Sequence, residues 1–234
     1  ISYQSLKNKQ MSAKIICLEG LDSSGKSTQV ILLTNYLDKH RLSYRFIHFP
    51  TYDKTVAGKV ISSFLCGDLG DINEVDPVFV ANIYAMDRYL YLSKINDILD
   101  KYDVLILDRY VFSNMAYQGA KAKTDSHTKE LRDWIYNFEF NFLKLPYPDL
   151  TIFFDVPIKI IKQRLETRRT GTDREYLKGK EDIHEKDIKF QSKVRDNYLA
   201  LKGYSKYVII PTKTLSPDKI FNKYENYLSF VLNV

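Results

Sequence analysis

The segment EGLDSSGKST, residues 19–28, decides the fold of this chain. It contains the pattern G-x-x-x-x-G-K-S, which is formed by Gly20, Gly25, Lys26 and Ser27. An apolar run at 15–18 precedes the pattern and is typical of a buried strand, whereas the apolar spacing over 28–37 indicates an amphipathic helix. A strand, a glycine-containing turn and a helix are the context that a phosphate-binding loop requires. An ordinary glycine-containing turn is the alternative.

The chemistry of this loop predicts a nucleoside triphosphate site. Its two glycines allow a tight turn whose N–H groups point at phosphate oxygens, and the following helix adds the positive end of its dipole. Lys26 is predicted to act as a catalytic cation on the β- and γ-phosphates, and the Ser27 hydroxyl to ligate Mg²⁺. The predicted ATP-binding residues of the loop are Gly20, Leu21, Asp22, Ser23, Ser24, Gly25, Lys26, Ser27 and Thr28.

Composition limits the class of protein. With 234 residues, of which 44% are hydrophobic, the chain can bury a core as one large domain or two small ones. The net charge of +6 includes no dense basic run, so small phosphorylated ligands explain it better than nucleic acid, and no membrane partner is expected. Cys17 and Cys66 form neither a disulfide framework nor a metal pattern, which indicates a cytoplasmic protein, although a viral or organellar origin stays open.

Residues 1–13 are predicted to be a disordered N-terminal extension of a single domain at 14–234. Residues 1–10 are polar and basic without an apolar centre, so they do not read as a secretory signal. A remnant of an expression vector, a native extension and an organelle-targeting segment all remain open.

Five predicted strands alternate with helices along the chain. The strands are expected at 15–18, 44–48, 104–107, 150–154 and 207–210. The helices are expected at 28–37, 56–66, 76–99, 113–117, 129–145, from 158 to about 168, 182–201 and 217–232, with a loop at 119–128. The strands show little alternation of polar and apolar residues, so we predict an α/β fold with a five-stranded parallel sheet covered by helices on both faces.

Polar residues follow the predicted strands at the edge where ligands of parallel sheets gather. The loop 20–28 follows the first strand, residues 49–52 the second, Asp108 and Arg109 the third, and Asp155 the fourth. A carboxylate and a guanidinium are costly to bury there unless they serve each other, a metal or a ligand. A purely structural Asp108–Arg109 pair remains the alternative at this stage.

Four segments carry a resemblance to a known family: the loop itself, the Phe-Pro pair at 49–50, YAMDR at 84–88 and DRYVFSNMAYQG at 108–119. With these the chain resembles the thymidylate kinases, which are phosphate-loop nucleoside monophosphate kinases, over nearly its whole length from residue 14. The resemblance implies a P-loop NTPase fold with a mobile lid at about 168–182. It also implies Mg²⁺-dependent transfer of the ATP γ-phosphoryl group to dTMP, which gives dTDP for dTTP biosynthesis.

The resemblance assigns acceptor contacts. Asp22 would contact the deoxyribose 3′-hydroxyl, and Tyr117 would lie where a ribose 2′-hydroxyl would project. Tyr84 and Arg88, four residues apart on one helix face, would hold the thymine. The other implied dTMP contacts are Phe49, Tyr52, Arg109, Ser113 and Gln118.

The resemblance also implies the catalytic groups. Asp108 would hold Mg²⁺ or its waters, and Arg109 would bridge the donor and acceptor phosphates. At least one of the lid arginines Arg168, Arg169 and Arg174 would close over ATP, with Arg164 on the adenine side.

Two departures from the family pattern affect this assignment. Tyr52 stands where many relatives carry a phosphate-clamping arginine, so Lys54 or Arg109 would take over that contact. Ser23 and Ser24 stand where some relatives carry a catalytic arginine in the loop, which directs the search for that cation to the lid.

Other functions remain to be compared with this one. A deoxynucleoside kinase or another monophosphate kinase would share the fold, and a nucleotide-driven switch or a nucleic-acid-binding ATPase would share the loop. An inactive binding module is disfavoured by the intact Lys26, Ser27, Asp108 and Arg109. By analogy with the family we expect a homodimer, with the apolar helix at 77–99 as a candidate interface.

Overall fold

The computed structural model describes residues 13–70, 74–167, 184, 187–204 and 206–234. Its strands are β1 Lys14–Glu19, β2 Tyr44–His48, β3 Val104–Asp108, β4 Leu150–Asp155 and β5 Tyr207–Pro211. All neighbouring strands are parallel, in the order β2-β3-β1-β4-β5. The predicted parallel sheet is confirmed, and each predicted strand lies within one residue of its observed bounds.

Helices connect these strands. They are α1 Lys26–Lys39, α2 Val56–Leu65, α3 Pro77–Leu90, α4 Leu92–Leu99, α5 Val111–Gly119, α6 Asp125–Tyr136, α7 Ile158–Thr167, α8 Ile188–Ala200, α9 Pro217–Phe221 and α10 Glu225–Leu232. A π-helical turn, Asn137–Phe142, continues α6, and a 3₁₀ turn, Leu201–Gly203, follows α8. Within the described ranges, none of these helices has the length and apolar character needed to cross a bilayer.

The sheet is buried on both faces, as its apolar strands predict. Successive residues of β1 enter different cores: Ile15 and Cys17 face the core formed with α4, α5, α6 and α8. Ile16 and Leu18 face the core formed with α1, α9 and α10. This alternation follows from the two-residue period of a strand, and it leaves the carboxyl edge of the sheet open for a site.

The prediction of one helix at 76–99 is wrong in one respect, because the structure has two helices there, α3 and α4, separated at Tyr91. The Tyr91 N–H bonds to the Arg88 carbonyl, three residues back, which tightens the last turn and ends α3. The Tyr91 ring then packs edge-on against Phe49 at 6.0 Å, so a tertiary contact accompanies the break.

The boundaries of two further helices also differ from the prediction. Residues 125–128 belong to α6 rather than to a loop, because the Thr124 hydroxyl caps the helix by accepting from the His127 N–H at 3.2 Å. The predicted last helix is divided at 222–224, where the Tyr224 N–H bonds to the Phe221 carbonyl three residues back.

The loop after β2 is held by α2 and α3. Asp87, buried in α3, accepts from the Thr51 N–H at 2.7 Å, from the Thr51 hydroxyl at 2.6 Å and from the Thr55 hydroxyl. Thr55 in turn caps α2 by accepting from the Gly58 N–H at 2.8 Å. Gly58 lies so close to the loop that a Cβ on it would be 2.5 Å from the Tyr52 carbonyl oxygen.

We therefore expect Gly58→Ala to lower the free energy of unfolding by about 1–3 kcal/mol, measured by urea denaturation. A loss of stability would be informative, because without a steric clash alanine in place of glycine stabilises a helix by about 1 kcal/mol. The matched control is Gly203→Ala, where nothing lies within 4 Å of an added Cβ. That control should be neutral or slightly stabilising, and a Gly58→Ala protein as stable as the wild type would contradict the close approach.

Candidate active site

The phosphate-binding loop has the backbone that its glycines predict. Gly25 has a φ of 94° and precedes α1, and a Cβ on Gly20 would lie 2.6 Å from the Ser24 hydroxyl oxygen. Lys26 is buried and donates to the carbonyls of Gly20 at 3.3 Å and Leu21 at 3.2 Å. Burial, together with the nearby guanidinium of the residue that follows β3, lowers the pKa of Lys26. The loop thus presents a buried cation at a helix N-terminus, as an anion site requires.

Other predicted donor-site residues lie around this loop. Ser27 and Thr28 are exposed at the start of α1. Arg164 of α7 donates from Nη1 to the Ser23 carbonyl at 2.9 Å, so the structure brings it against the loop. Arg168, Arg169 and Arg174 lie outside the described residues, and their assignment remains a prediction.

Asp22, Arg109 and Tyr117 form one cluster. Arg109 donates from Nη2 to Asp22 Oδ1 at 2.7 Å, and the Tyr117 hydroxyl donates to Asp22 Oδ2 at 3.1 Å. The Arg109 guanidinium also lies 5.3 Å from the centroid of the Tyr117 ring. Burial alone would raise the pKa of Asp22, but Arg109 and then Lys26 lower it below its usual range. Asp22 is therefore ionised at neutral pH, and Arg109 and Lys26 offset its negative charge within an anion-binding loop.

Arg109 has an unusual backbone conformation. Its φ of 66° lies in the left-handed region, which costs a residue with a side chain about 1–3 kcal/mol. The Arg109 N–H donates to the Leu18 carbonyl at 3.0 Å, and the Tyr110 N–H donates to Glu19 Oε1 at 2.8 Å. The end of β1 therefore holds the turn that directs Arg109 into the site.

Glu19 is a residue that the sequence analysis left without a role. It is completely buried, and its Oε2 accepts from the hydroxyls of Ser113 and Tyr198. Burial raises the pKa of Glu19, and the hydrogen bond from Ser113, which lowers this pKa, offsets only part of that effect. The sequence feature that could have identified Glu19 is a carboxylate at the last position of an apolar strand. Its partners come from α5 and α8, so Glu19 joins the two helices to the strand.

Asp108 lies beside His48 at the carboxyl edge of the sheet. Its Oδ2 is 3.1 Å from His48 Nδ1, whereas its buried Oδ1 has no hydrogen-bond partner among the described residues. Burial would raise the pKa of Asp108, but Lys26 and the hydrogen bond from His48 lower it. An ionised oxygen without a partner has the chemistry of a ligand to a divalent cation or to its water. The Asp108–Arg109 pair considered as the structural alternative is absent among the described hydrogen bonds, since Arg109 pairs with Asp22.

A cavity that is partly open to solvent adjoins the loop. Seven of its lining residues were predicted to bind the acceptor: Asp22, Tyr52, Tyr84, Arg109, Ser113, Tyr117 and Gln118. Four others were not predicted: Pro50, Leu65, Asn114 and His184. The strand-end residues and the face of α5 thus meet in one place.

Two predicted acceptor contacts, Phe49 and Arg88, do not line this cavity. Phe49 is buried in the core against Tyr91 and Tyr110. Arg88 is 2% exposed and forms a two-point ion pair with Glu139, so its contact with a base remains a prediction.

Asn114 and Gln118 line the cavity, and each carries an amide oxygen without a described partner. Asn114 Oδ1 and Gln118 Oε1 are buried, and neither has a hydrogen-bond partner in the described part of the chain. Asn114 was missed, although it is a polar residue one helical turn before Gln118 in the segment 108–119. Buried amide oxygens without partners are costly, so these two point to a ligand that donates hydrogen bonds.

Tyr52 occupies the position of the missing arginine. Its backbone φ is 46°, and its ring stacks on His48 with centroids 5.9 Å apart. Of the two cations considered as replacements, Arg109 lines the cavity, whereas Lys54 is exposed and does not. The geometry therefore favours Arg109 for the phosphate contact.

Comparison with known proteins identifies the family. The family model described as thymidylate kinase matches residues 18–222. The thymidylate kinase of Mycobacterium tuberculosis is 29% identical over 209 residues, which cover 88% of this chain and 94% of that protein. A probable thymidylate kinase of Saccharolobus solfataricus is 30% identical over 86% of this chain and 89% of its own.

A solved structure shows a similar fold. Thymidylate kinase from Candida albicans superposes with a TM-score of 0.70 and 24% identity, and the match covers 94% of this chain and 92% of that one. With a family model that spans most of its length, this chain belongs to the thymidylate kinase family, the ATP-dependent phosphotransferases that phosphorylate dTMP.

Proposed function

We propose that this chain binds ATP on the loop 20–28 and dTMP in the adjoining cavity, and transfers the γ-phosphoryl group between them to form dTDP and ADP. The observation that carries this arrangement is the Asp22–Arg109–Tyr117 cluster. Asp22 belongs to the loop and also lines the cavity, so the two substrates would meet at this carboxylate.

The proposed chemistry is in-line phosphoryl transfer. The acceptor is a phosphate that is already ionised at neutral pH, so the reaction needs no strong general base. The protein instead positions two anions and neutralises the charge spread over the transferred group. Lys26 of the loop and Arg109 at the cavity wall supply cations from the two sides.

Magnesium is proposed as the cofactor, held by Ser27 and Asp108. The buried Asp108 Oδ1 without a partner among the described residues fits this role. The described residues include no group of three or more His, Cys, Asp or Glu side chains that could hold a metal ion. Mg²⁺ is commonly bound by one or two protein oxygens together with substrate phosphates, where it neutralises charge on those phosphates.

The cavity has the polar groups that a deoxythymidine acceptor needs. Tyr84 lines it and would contact the base, and Tyr117 lies beside the carboxylate proposed to accept from the 3′-hydroxyl. Thymine carries one donor, the N3–H, which the free oxygens of Asn114 or Gln118 could accept.

The lid and the cellular setting stay predictions. Arg164 lies against the loop, which supports its proposed place on the ATP side. Closure of Arg168, Arg169 or Arg174 over ATP is proposed from the family resemblance. A cytoplasmic location and small nucleotides as partners, without nucleic acid or membrane, complete the proposal.

A panel of acceptors tests the proposed function. With ATP and Mg²⁺, ADP formation is compared for dTMP, dUMP, UMP, CMP and thymidine, and for no acceptor. We expect dTMP to give the highest kcat/KM. The Candida albicans enzyme is described as having broad substrate specificity, so turnover of further acceptors is compatible with the proposal. A tenfold preference for thymidine or CMP would overturn it, and fast acceptor-free hydrolysis would favour a switch or ATPase.

Arg109→Ala is expected to lower kcat by about 10³ while ATP still binds to the loop. ATP affinity is measured by calorimetry, and turnover under saturating substrates. Arg109→Lys should recover part of the rate, because it keeps the charge and loses the planar fork. The exposed Arg45, outside the cavity, supplies the control Arg45→Ala with unchanged turnover. If Arg109→Ala kept a rate within about tenfold of the wild type, Arg109 would have no place in the transfer step.

A homodimer is also proposed, through the exposed face of α3. Phe79, Met86 and Leu90 are 51%, 41% and 49% exposed and lie at helical spacing on that face. Such a stripe is costly in water, and a second copy would bury it. We expect light scattering to give twice the chain mass of 27.4 kDa.

The interface is tested by Met86→Glu combined with Leu90→Glu, which should shift the mass towards the monomer. The control is Phe230→Glu on α10, which is 84% exposed and belongs to the helices on the other face of the sheet. A wild-type monomer, or a dimer unaffected by the α3 substitutions, would exclude this interface.

A further inference from the structure

Glu139 lies in the π-helical turn 137–142 and is completely buried. Leu131 and Ile135, eight and four residues earlier on the same face, are buried apolar residues. An apolar side chain is therefore the ordinary choice at position 139. A carboxylate at this position needs partners, because an isolated buried charge is strongly unfavourable.

Those partners come from two helices that border the cavity. Arg88 of α3 donates to Glu139 from Nε at 2.5 Å and from Nη2 at 2.7 Å. Asn114 of α5 donates from Nδ2 to Glu139 Oε1 at 2.8 Å. The ion pair satisfies the charge, and the third bond ties a cavity residue to it.

The third bond determines which way the Asn114 amide faces. Asn114 Nδ2 donates both to Glu139 and to the Ala81 carbonyl, which is 3.0 Å away. Both of these oxygens only accept, so the NH₂ group must face them. The Asn114 oxygen is then turned away from these two acceptors. Asn114 lines the cavity, and its buried oxygen has no partner among the described residues.

We propose that Glu139 is a positioning residue that sets the base preference of the acceptor site by holding the Asn114 oxygen towards the base. This inference rests on the proposed function, which places dTMP in the cavity. The thymine N3–H would donate to that oxygen, whereas the N3 of cytosine is itself an acceptor and would oppose it. A site built around one hydrogen bond rejects a base that cannot make it.

Removal of the acceptor at position 139 would leave the Asn114 amide with only its bond to the Ala81 carbonyl, so that the amide would rotate more easily. Its NH₂ group could then turn to the cavity and donate to the N3 of cytosine. The discrimination between dTMP and dCMP would fall, even where the fold is intact. A merely structural role of Glu139 would instead change the turnover of both acceptors by the same factor.

The test compares two double variants, Arg88→Met with Glu139→Met and Arg88→Met with Glu139→Gln. Both lack Arg88, so neither leaves a buried guanidinium unpaired and any contact of Arg88 with the base is lost equally. The glutamine and methionine side chains are similar in size, but only glutamine can accept from Asn114. The readout is the ratio of kcat/KM for dTMP to that for dCMP.

We expect the ratio of the methionine double variant to lie about tenfold or more below that of the glutamine double variant. Equal ratios in the two variants would overturn the proposal. A second measurement on the wild type covers the case in which neither variant folds. In NMR, the Asn114 NH₂ protons should be protected from solvent exchange both without and with dTMP, because Glu139 and Ala81 accept from them. Exchange of these protons as fast as in an exposed asparagine would show that Glu139 does not hold the NH₂ group and would also overturn the proposal.

These outcomes are separable from a failure of the proposed function. A wild-type protein that turns over neither dTMP nor dCMP would refute the proposed function itself. A wild type that prefers dTMP, combined with equal ratios in the two variants, would refute only the role of Glu139. The stability control is Asp149→Asn, which weakens the contact of Asp149 with Lys14 and the Ile15 N–H at the opposite edge of the sheet, and should leave the ratio unchanged.

Discussion

The ion pair between Arg109 and Asp22 is the interaction on which the site depends. The carboxyl edge of the sheet collects charged side chains in a partly desolvated place, where an unpaired guanidinium or carboxylate would be strongly unfavourable. Because Asp22 belongs to the phosphate loop and Arg109 to the end of β3, their pair fixes two segments 87 residues apart. Glu19 adds to this by holding the turn after Arg109 and the start of α5. The strained backbone of Arg109 persists because these contacts determine it.

The same reasoning applies on the far side of the cavity. There the Arg88–Glu139 pair is completely buried, and it joins α3, α5 and the π-helical turn. Asp87, the neighbour of Arg88, fixes the loop after β2 with three hydrogen bonds. Asp87 and Glu139 are thus buried carboxylates that accept hydrogen bonds from segments bordering the cavity and do not line it themselves. Such preorganised groups lose little freedom when a substrate binds, which is what a positioning enzyme requires.

The features that the sequence predicted are those with local causes. The strands are apolar runs bounded by glycine, proline or charge, and the segments that follow them meet because parallel strands share a carboxyl edge. The breaks at Tyr91 and Tyr224 were missed, since they arise from three-residue hydrogen bonds and packing without a proline or glycine. Arg88 illustrates the limit for the site: its helix face was predicted, but its partner Glu139 lies 51 residues away and no local pattern identifies it.

In the proposed arrangement, Asp22 would allow one loop to serve two substrates. Its carboxylate already accepts from Arg109 and Tyr117, one bond to each oxygen. A carboxylate has about four lone-pair sites, so a further donor can be accepted without loss of either bond. The Asp22 side chain is 32% exposed, so a sugar hydroxyl bound in the cavity, as proposed, would be able to reach it. The acceptor would then bind to the same group that orients Arg109, and its arrival would leave the cation in place beside the phosphates.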